Sequence, residues 1–140
     1  KITFQPGLGR RRNSTTATLS LGSVKGLCHP SRVKSAITRS RVIPRVKKCY
    51  DEALEIQYIP AASIKVELSI DTNGYRGQIK SLQLRGKDTL LSNHCIRSQL
   101  RRHLQRGLRR LRNDMDVAGI CQATFHLDLI SRPRSAPSLP

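Results

Sequence analysis

The chain is poor in aromatics and in acidic residues, and it has no long apolar run. Phe4, Tyr50, Tyr58, Tyr75 and Phe125 are its only aromatic residues, and none is interleaved with clustered arginines. A base-stacking platform for single-stranded nucleic acid therefore has little to work with. No stretch approaches the roughly 20 apolar residues that a membrane-spanning helix needs. No charged-then-apolar start reads as a secretory signal, and the chain opens on Lys1 rather than Met, as a fragment or processed product would. No internal repeat is present.

The spacings that carry chemistry are missing too. There is no Cys-x-x-Cys and no His-x-x-x-His. Cys28-His29 and His94-Cys95 are adjacent pairs, which do not converge on one ion when helical. Neither His94 nor His103 lies three or four residues from Cys95, as a helical nucleophile–base pair requires. The segment GLGRRRN is not followed by the Lys and Ser/Thr of a phosphate loop. Asp51, Glu52 and Glu55 read as a solvated helix face rather than a catalytic carboxylate pair. The expectation is a non-enzymatic chain with no metal and no cofactor.

What is present is positive charge. Net charge is +17 over 140 residues, with 26 Lys and Arg against 9 Asp and Glu. It falls in two blocks: residues 1–48 contain no acid at all, and residues 85–112 contain one, Asp88. Blocks of this kind attract nucleic acid, anionic lipid or acidic protein surfaces without choosing among them.

Hydrophobic patterning places the folded part between about residues 41 and 130. Residues 1–40, rich in Gly, Ser, Thr, Pro and Arg, read as a basic, largely disordered arm. Residues 131–140 read as a Pro-rich disordered tail. Val42, Val46, Cys49, Ala53 and Ile56 recur at helical steps of three and four, with Pro44 in the first turn and Pro60 as the stop. SIKVELSI, residues 63–70, alternates as a half-buried strand. DTNG, residues 71–74, signals a hairpin turn. The following strand, about 75–85, loses its alternation between Ile79 and Leu82, as at a β-bulge or a ragged start. Residues 87–113 read as a second helix with Asp88 as N-cap. Ile96, Leu100, Leu104, Leu108 and Leu111 form its apolar stripe, and Gly107 weakens it. Its arginines, Arg101, Arg102, Arg106, Arg109, Arg110 and Arg112, form a basic surface. Residues 117–129 alternate as a third strand. The predicted fold is α+β and two-layered, a small three-stranded antiparallel sheet with two helices in the order α-β-β-α-β.

Cys49 lies on the buried face of the first helix and Cys95 near the start of the second. If both helices cover one sheet face the thiols can meet, closing a loop of about 46 residues worth roughly 4 kcal/mol in chain-entropy terms. On one ideal helix, however, Cys95 points nearly opposite the Leu100–Leu111 stripe. Either that helix bends or shortens, or Cys95 lies outside the core. Cys121 reads as a core thiol and Cys28, in the arm, as free.

The succession CYDEAL, IKVELSI, DTNGYRGQIKSLQL, HCIRSQL and FHLDLI resembles the AgmX/PglI C-terminal domain, a relative of the TonB and TolA C-terminal domains. Cys49-Tyr50 and Cys95-Ile96 fall where that family carries a Cys-Tyr pair on its first helix and a Cys–apolar pair on its second. Ile70 and Gly74 match its strand-to-turn element. The resemblance covers about residues 42–130. It departs at Ala62-Ser63, where a Gly is usual, and at RRHLQRGLRRLRND, where an aromatic-Pro motif is usual. It implies a Gram-negative cell-envelope protein that sits in the periplasm behind an inner-membrane anchor and binds protein partners, and it favours an oxidised Cys49–Cys95 pair. The contact surface it implies is a sheet edge plus the basic helix. The competing expectation is an RNA- or DNA-binding protein that tracks phosphates with the arginine helix and the basic arm; a third is docking on an anionic membrane surface.

Overall fold

A computed structural model describes residues 13–26, 28–71, 77–109 and 120–133. The elements run β1 (Asn13–Gly26), α1 (Pro30–Arg39), α2 (Val42–Ile56), β2 (Ala61–Asp71), β3 (Gln78–Arg85), a 3-10 turn (Thr89–Ser92), α3 (His94–Leu108) and β4 (Ile120–Pro133). The strands form one open sheet in the order β1-β4-β2-β3, every neighbouring pair antiparallel. The α+β class matches the expectation. The count does not: among the described residues there are four strands and three helices, not three and two.

The surplus strand and helix both come from residues 1–40, so reading that whole segment as a disordered arm is corrected for residues 13–26 and 30–39. β1 shows no clean alternation in sequence because its parity changes midway. Leu21 sits opposite Phe125 and Ser23 opposite Thr124, which leaves Gly22 as an extra residue. Ala17, Leu19 and Leu21 face the core before this bulge, and Val24 faces it after. A bulge shifts the side-chain period by one, so a strict alternation test fails on a strand that is in fact apolar on one side. A Cβ at Gly22 would lie 2.9 Å from His126 Nε2 and 3.1 Å from the Thr124 carbonyl oxygen, so the bulge takes the residue without a side chain. α1 buries only Val33, Ala36 and Ile37, the i, i+3, i+4 minimum of a helical stripe, with Pro30 in its first turn.

β2 follows its alternation: Ala62, Ile64, Val66, Leu68 and Ile70 are all buried. The slip in β3 is a bulge. Ser69 pairs with Ser81 but Ile70 with Ile79, leaving Lys80 as the extra residue and returning Ile79 and Leu82 to the same face. Asn73 and Gly74 of the expected turn lie outside the described residues, as do Leu111 and Val117. β4 is one of the two inner strands, with β1 and β2 on either side, and extends to Pro133, three residues into the expected tail.

The second helix is shorter than expected. Residues 89–92 form a 3-10 turn that buries Leu90, and α3 starts afresh at His94. Its N-cap is Asn93, whose side chain accepts a hydrogen bond from the Ile96 N–H at 2.9 Å. Asp88 is not that cap; its carboxylate accepts from the Ser63 N–H at 3.1 Å and so ties the 3-10 turn to β2. The break leaves Cys95 and Leu100 on one helix, so Cys95 still points away from the Leu100–Leu108 stripe; it is half-buried at the margin of the core, where it meets Cys49 of α2.

The core lies between the sheet and the helical layer. Val33 and Ile37 of α1, Val42, Val46 and Tyr50 of α2, and Ile96, Leu100, Leu104 and Leu108 of α3 meet the inward residues of β2 and β4, among them Phe125 and Leu127. Tyr50 is buried with its hydroxyl donating to the Ile59 carbonyl at 2.5 Å. α1 crosses α3 closely at Gly107: a Cβ there would stand 2.5 Å from the Ala36 carbonyl oxygen and 2.8 Å from Ser40 Cβ. Gly107 is therefore more than a weak spot in a helix; it admits the backbone of α1.

Candidate interaction surfaces

All four cysteines are bonded. Cys49 of α2 joins Cys95 of α3, with Cα atoms 5.6 Å apart. Cys28 joins Cys121, with Cα atoms 5.7 Å apart. The expectations of a free Cys28 and a lone core thiol at Cys121 are thus corrected. Cys28 follows β1 and Cys121 opens β4, and their strands pair along almost their whole length, so the fold itself brings the two thiols together. Nothing local in the sequence signals this pairing. Two disulfides are compatible with an oxidising compartment. They also leave no thiol for nucleophilic chemistry.

Among the described residues no helix is long and apolar enough to cross a membrane. No group of three or more His, Cys, Asp or Glu among them could hold a metal ion. The acids of α2 differ from one another. Asp51 is half-buried rather than on the outer surface; it accepts from the Thr15 hydroxyl at 2.5 Å and pairs with Lys47 at 3.3 Å, tying α2 to β1. Glu52 and Glu55 are exposed.

The predicted basic residues Arg101, Arg102, Arg106 and Arg109 are exposed on α3 and its C-cap; Arg110 and Arg112 lie outside the described residues. The structure adds partners that no single helix reveals. α2 and α3 run antiparallel, since Cys49 bridges to Cys95 while Arg45 reaches the neighbourhood of His103. The basic first half of α2 therefore lies beside the arginine-rich second half of α3. His103 is buried, its Nε2 lies 3.1 Å from Gln99 Oε1, and its Nδ1 has no hydrogen-bond partner among the described residues. Burial, and then Arg45, Arg106 and Arg102, hold its pKa below the ordinary histidine value, favouring the neutral ring.

Charge is segregated by layer. α1 carries three basic residues, α2 three and α3 four, which with Arg41 and Arg109 makes twelve, against Asp51, Glu52 and Glu55. The four strands carry five, against Glu67, Asp71 and Asp128. The helical layer thus carries most of the net positive charge of the described elements.

The two sheet edges also differ. β3 spans eight residues, is bulged at Lys80 and ends on Arg85, which forms an ion pair with Glu67. Gln105 of α3 occupies its start: Oε1 accepts from the Ile79 N–H at 2.8 Å and Nε2 donates to the Gly77 carbonyl at 3.3 Å. Bulges, charges and covering groups are the usual means of blunting an edge. β1 is 14 residues long, pairs among the described residues with β4 alone, and carries a single charge, Lys25. Ser14, Thr16, Thr18 and Ser20 are exposed along its outward face.

No protein-family model, curated protein or solved structure matches this chain.

Proposed function

We propose that the protein is a non-enzymatic binding module of an oxidising compartment, in the manner of TonB- and AgmX-type envelope domains, and that it takes a protein partner by adding an extended segment to β1. The single observation that carries this reading is the long β1 edge, which among the described residues has no strand on its outer side while the β3 edge is blunted. An edge of unpaired N–H and C=O groups supplies main-chain hydrogen bonds, and exposed side chains beside it supply selectivity. The resemblance of residues 42–130 to the AgmX/PglI C-terminal domain supports a periplasmic location behind an inner-membrane anchor. The two disulfides support the oxidising setting.

The rival reading, an RNA- or DNA-binding protein, rests on the arginines of α3. The shortage of aromatic residues and the bonded cysteines weigh against it. The test is photo-crosslinking in the native host from a probe at Thr18 on β1 and from one at Gln83 on β3. Adducts to one protein from Thr18 but not from Gln83 support edge addition. Adducts from Gln83 alone, or crosslinks mainly to nucleic acid, reject it.

A further inference from the structure

The basic end of the helical layer is a second surface, independent of the β1 edge. Arg45 of α2 lies near enough to His103 of α3 to act on its charge, and Arg102 and Arg106 stand one residue before and three residues after His103 on α3. The Gly107 crossing brings Ser40, and with it Arg39 and Arg41, to the same end of α3. Among the described residues no carboxylate pairs with any of these arginines. Asp51, Glu52 and Glu55 all lie in the second half of α2, at the opposite end of the layer. A cluster of like charges repels itself, and a buried imidazole whose Nδ1 has no partner among the described residues adds nothing to relieve it.

The backbone holds one of these arginines at a cost. Arg41 is the one non-glycine residue with positive φ among those described, at φ 58° and ψ 31°. This left-handed conformation favours Gly or Asn, and a bulky residue there is strained. An exposed arginine kept in that conformation, inside a cluster of arginines, points to a use for its charge.

We propose that this end of the helical layer docks on the phosphate headgroups of an anionic lipid bilayer, through Arg41, Arg45, Arg102 and Arg106. Charge complementarity is the recognition: several guanidiniums at one end of the helical layer, with no carboxylate partner among the described residues, meet a plane of phosphates. A bilayer fits better than single-stranded RNA. The exposed large apolar residues of the described chain are Ile56, Tyr58 and Ile120, and Ile56 and Tyr58 follow the acidic end of α2. None is placed for stacking bases among the arginines.

The test measures flotation of the whole chain with phosphatidylcholine–phosphatidylglycerol vesicles and with phosphatidylcholine alone, at about 0.15 M salt, where the Debye length is roughly 8 Å. Binding is expected only to the anionic vesicles, and is expected to be lost in high salt. Each basic residue near such a surface is worth about five-fold in affinity, so R45Q/R102Q/R106Q should bind roughly 100-fold more weakly. The control K25Q/K80Q/R132Q removes the same charge from the strands and should lose less than about five-fold. Arg41→Asn supplies a readout that keeps the fold: its unfolding midpoint should rise while its vesicle affinity falls about five-fold. Equal losses in the two triple variants, no preference for anionic vesicles, or tighter binding of single-stranded RNA than of the anionic vesicles at the same salt, lost in R45Q/R102Q/R106Q, would overturn the proposal.

Discussion

Removing the disulfides one at a time tests the architecture most directly. The bridges are nested: Cys28–Cys121 spans 93 residues and encloses Cys49–Cys95, which spans 46. In the chain-entropy model a loop of 46 restrains the unfolded chain by about 4.0 kcal/mol, and one of 93, closed alone, by about 4.6 kcal/mol. With the inner bridge intact the outer one adds only about 47 residues of free loop, 93 less 46, and its contribution falls to about 4.0 kcal/mol. Together the two supply about 8 kcal/mol, comparable with the whole stability of roughly 5–15 kcal/mol typical of a domain. C49A/C95A and C28A/C121A should each lose about 2–5 kcal/mol in urea unfolding, and their m-values should rise because the unfolded chain expands. The fully reduced protein should be marginal or unfolded at 37 °C. A loss below about 1 kcal/mol in either variant, with unchanged m, would refute the reasoning.

Three further outcomes are expected. Gly107→Ala gains about 1 kcal/mol of helix propensity but drives a Cβ to 2.5 Å from the Ala36 carbonyl oxygen, so thermal unfolding should show a net loss of about 2 kcal/mol. His103 has its folded pKa below the unfolded value near 6.5, so the stability it permits is present above pH 6.5 and is lost as pH falls through that value toward the folded one; His103→Gln should flatten the acid side of a plot of Tm against pH. Tyr50 is pushed up to about 12, first by burial and then by Tyr58 and Asp51, so stability should fall as pH rises above 10; Tyr50→Phe should remove that alkaline loss while costing about 1 kcal/mol at neutral pH, read by urea titration at both pH values.

How much of this was legible in the chain depended on whether a feature repeats with its own backbone period. Val42, Val46 and Cys49 fall on the helical period and Ile64, Val66, Leu68 and Ile70 on the strand period, and both elements stand where those periods place them. The slip between Ile79 and Leu82 was legible as an irregularity, and became a bulge at Lys80. β1 was not legible, because Gly22 breaks its period and because an edge strand beside a hydrophobic centre strand needs few large apolar residues of its own. α1 was hidden for a similar reason: three small or medium apolar residues suffice when a glycine on α3 lets the helices approach.

The sequence by itself determined the α+β class, the amphipathic helices, the alternating strands and the two basic blocks, all of which are properties of neighbours within one or two turns. Only the tertiary structure decided that Cys28 meets Cys121, that β1 rather than β3 is the edge left open among the described residues, and that Arg45 of α2 comes near His103 of α3. Those outcomes depend on which residues pair across dozens of positions. That pairing is set by burying every apolar face at once, a condition no local period encodes.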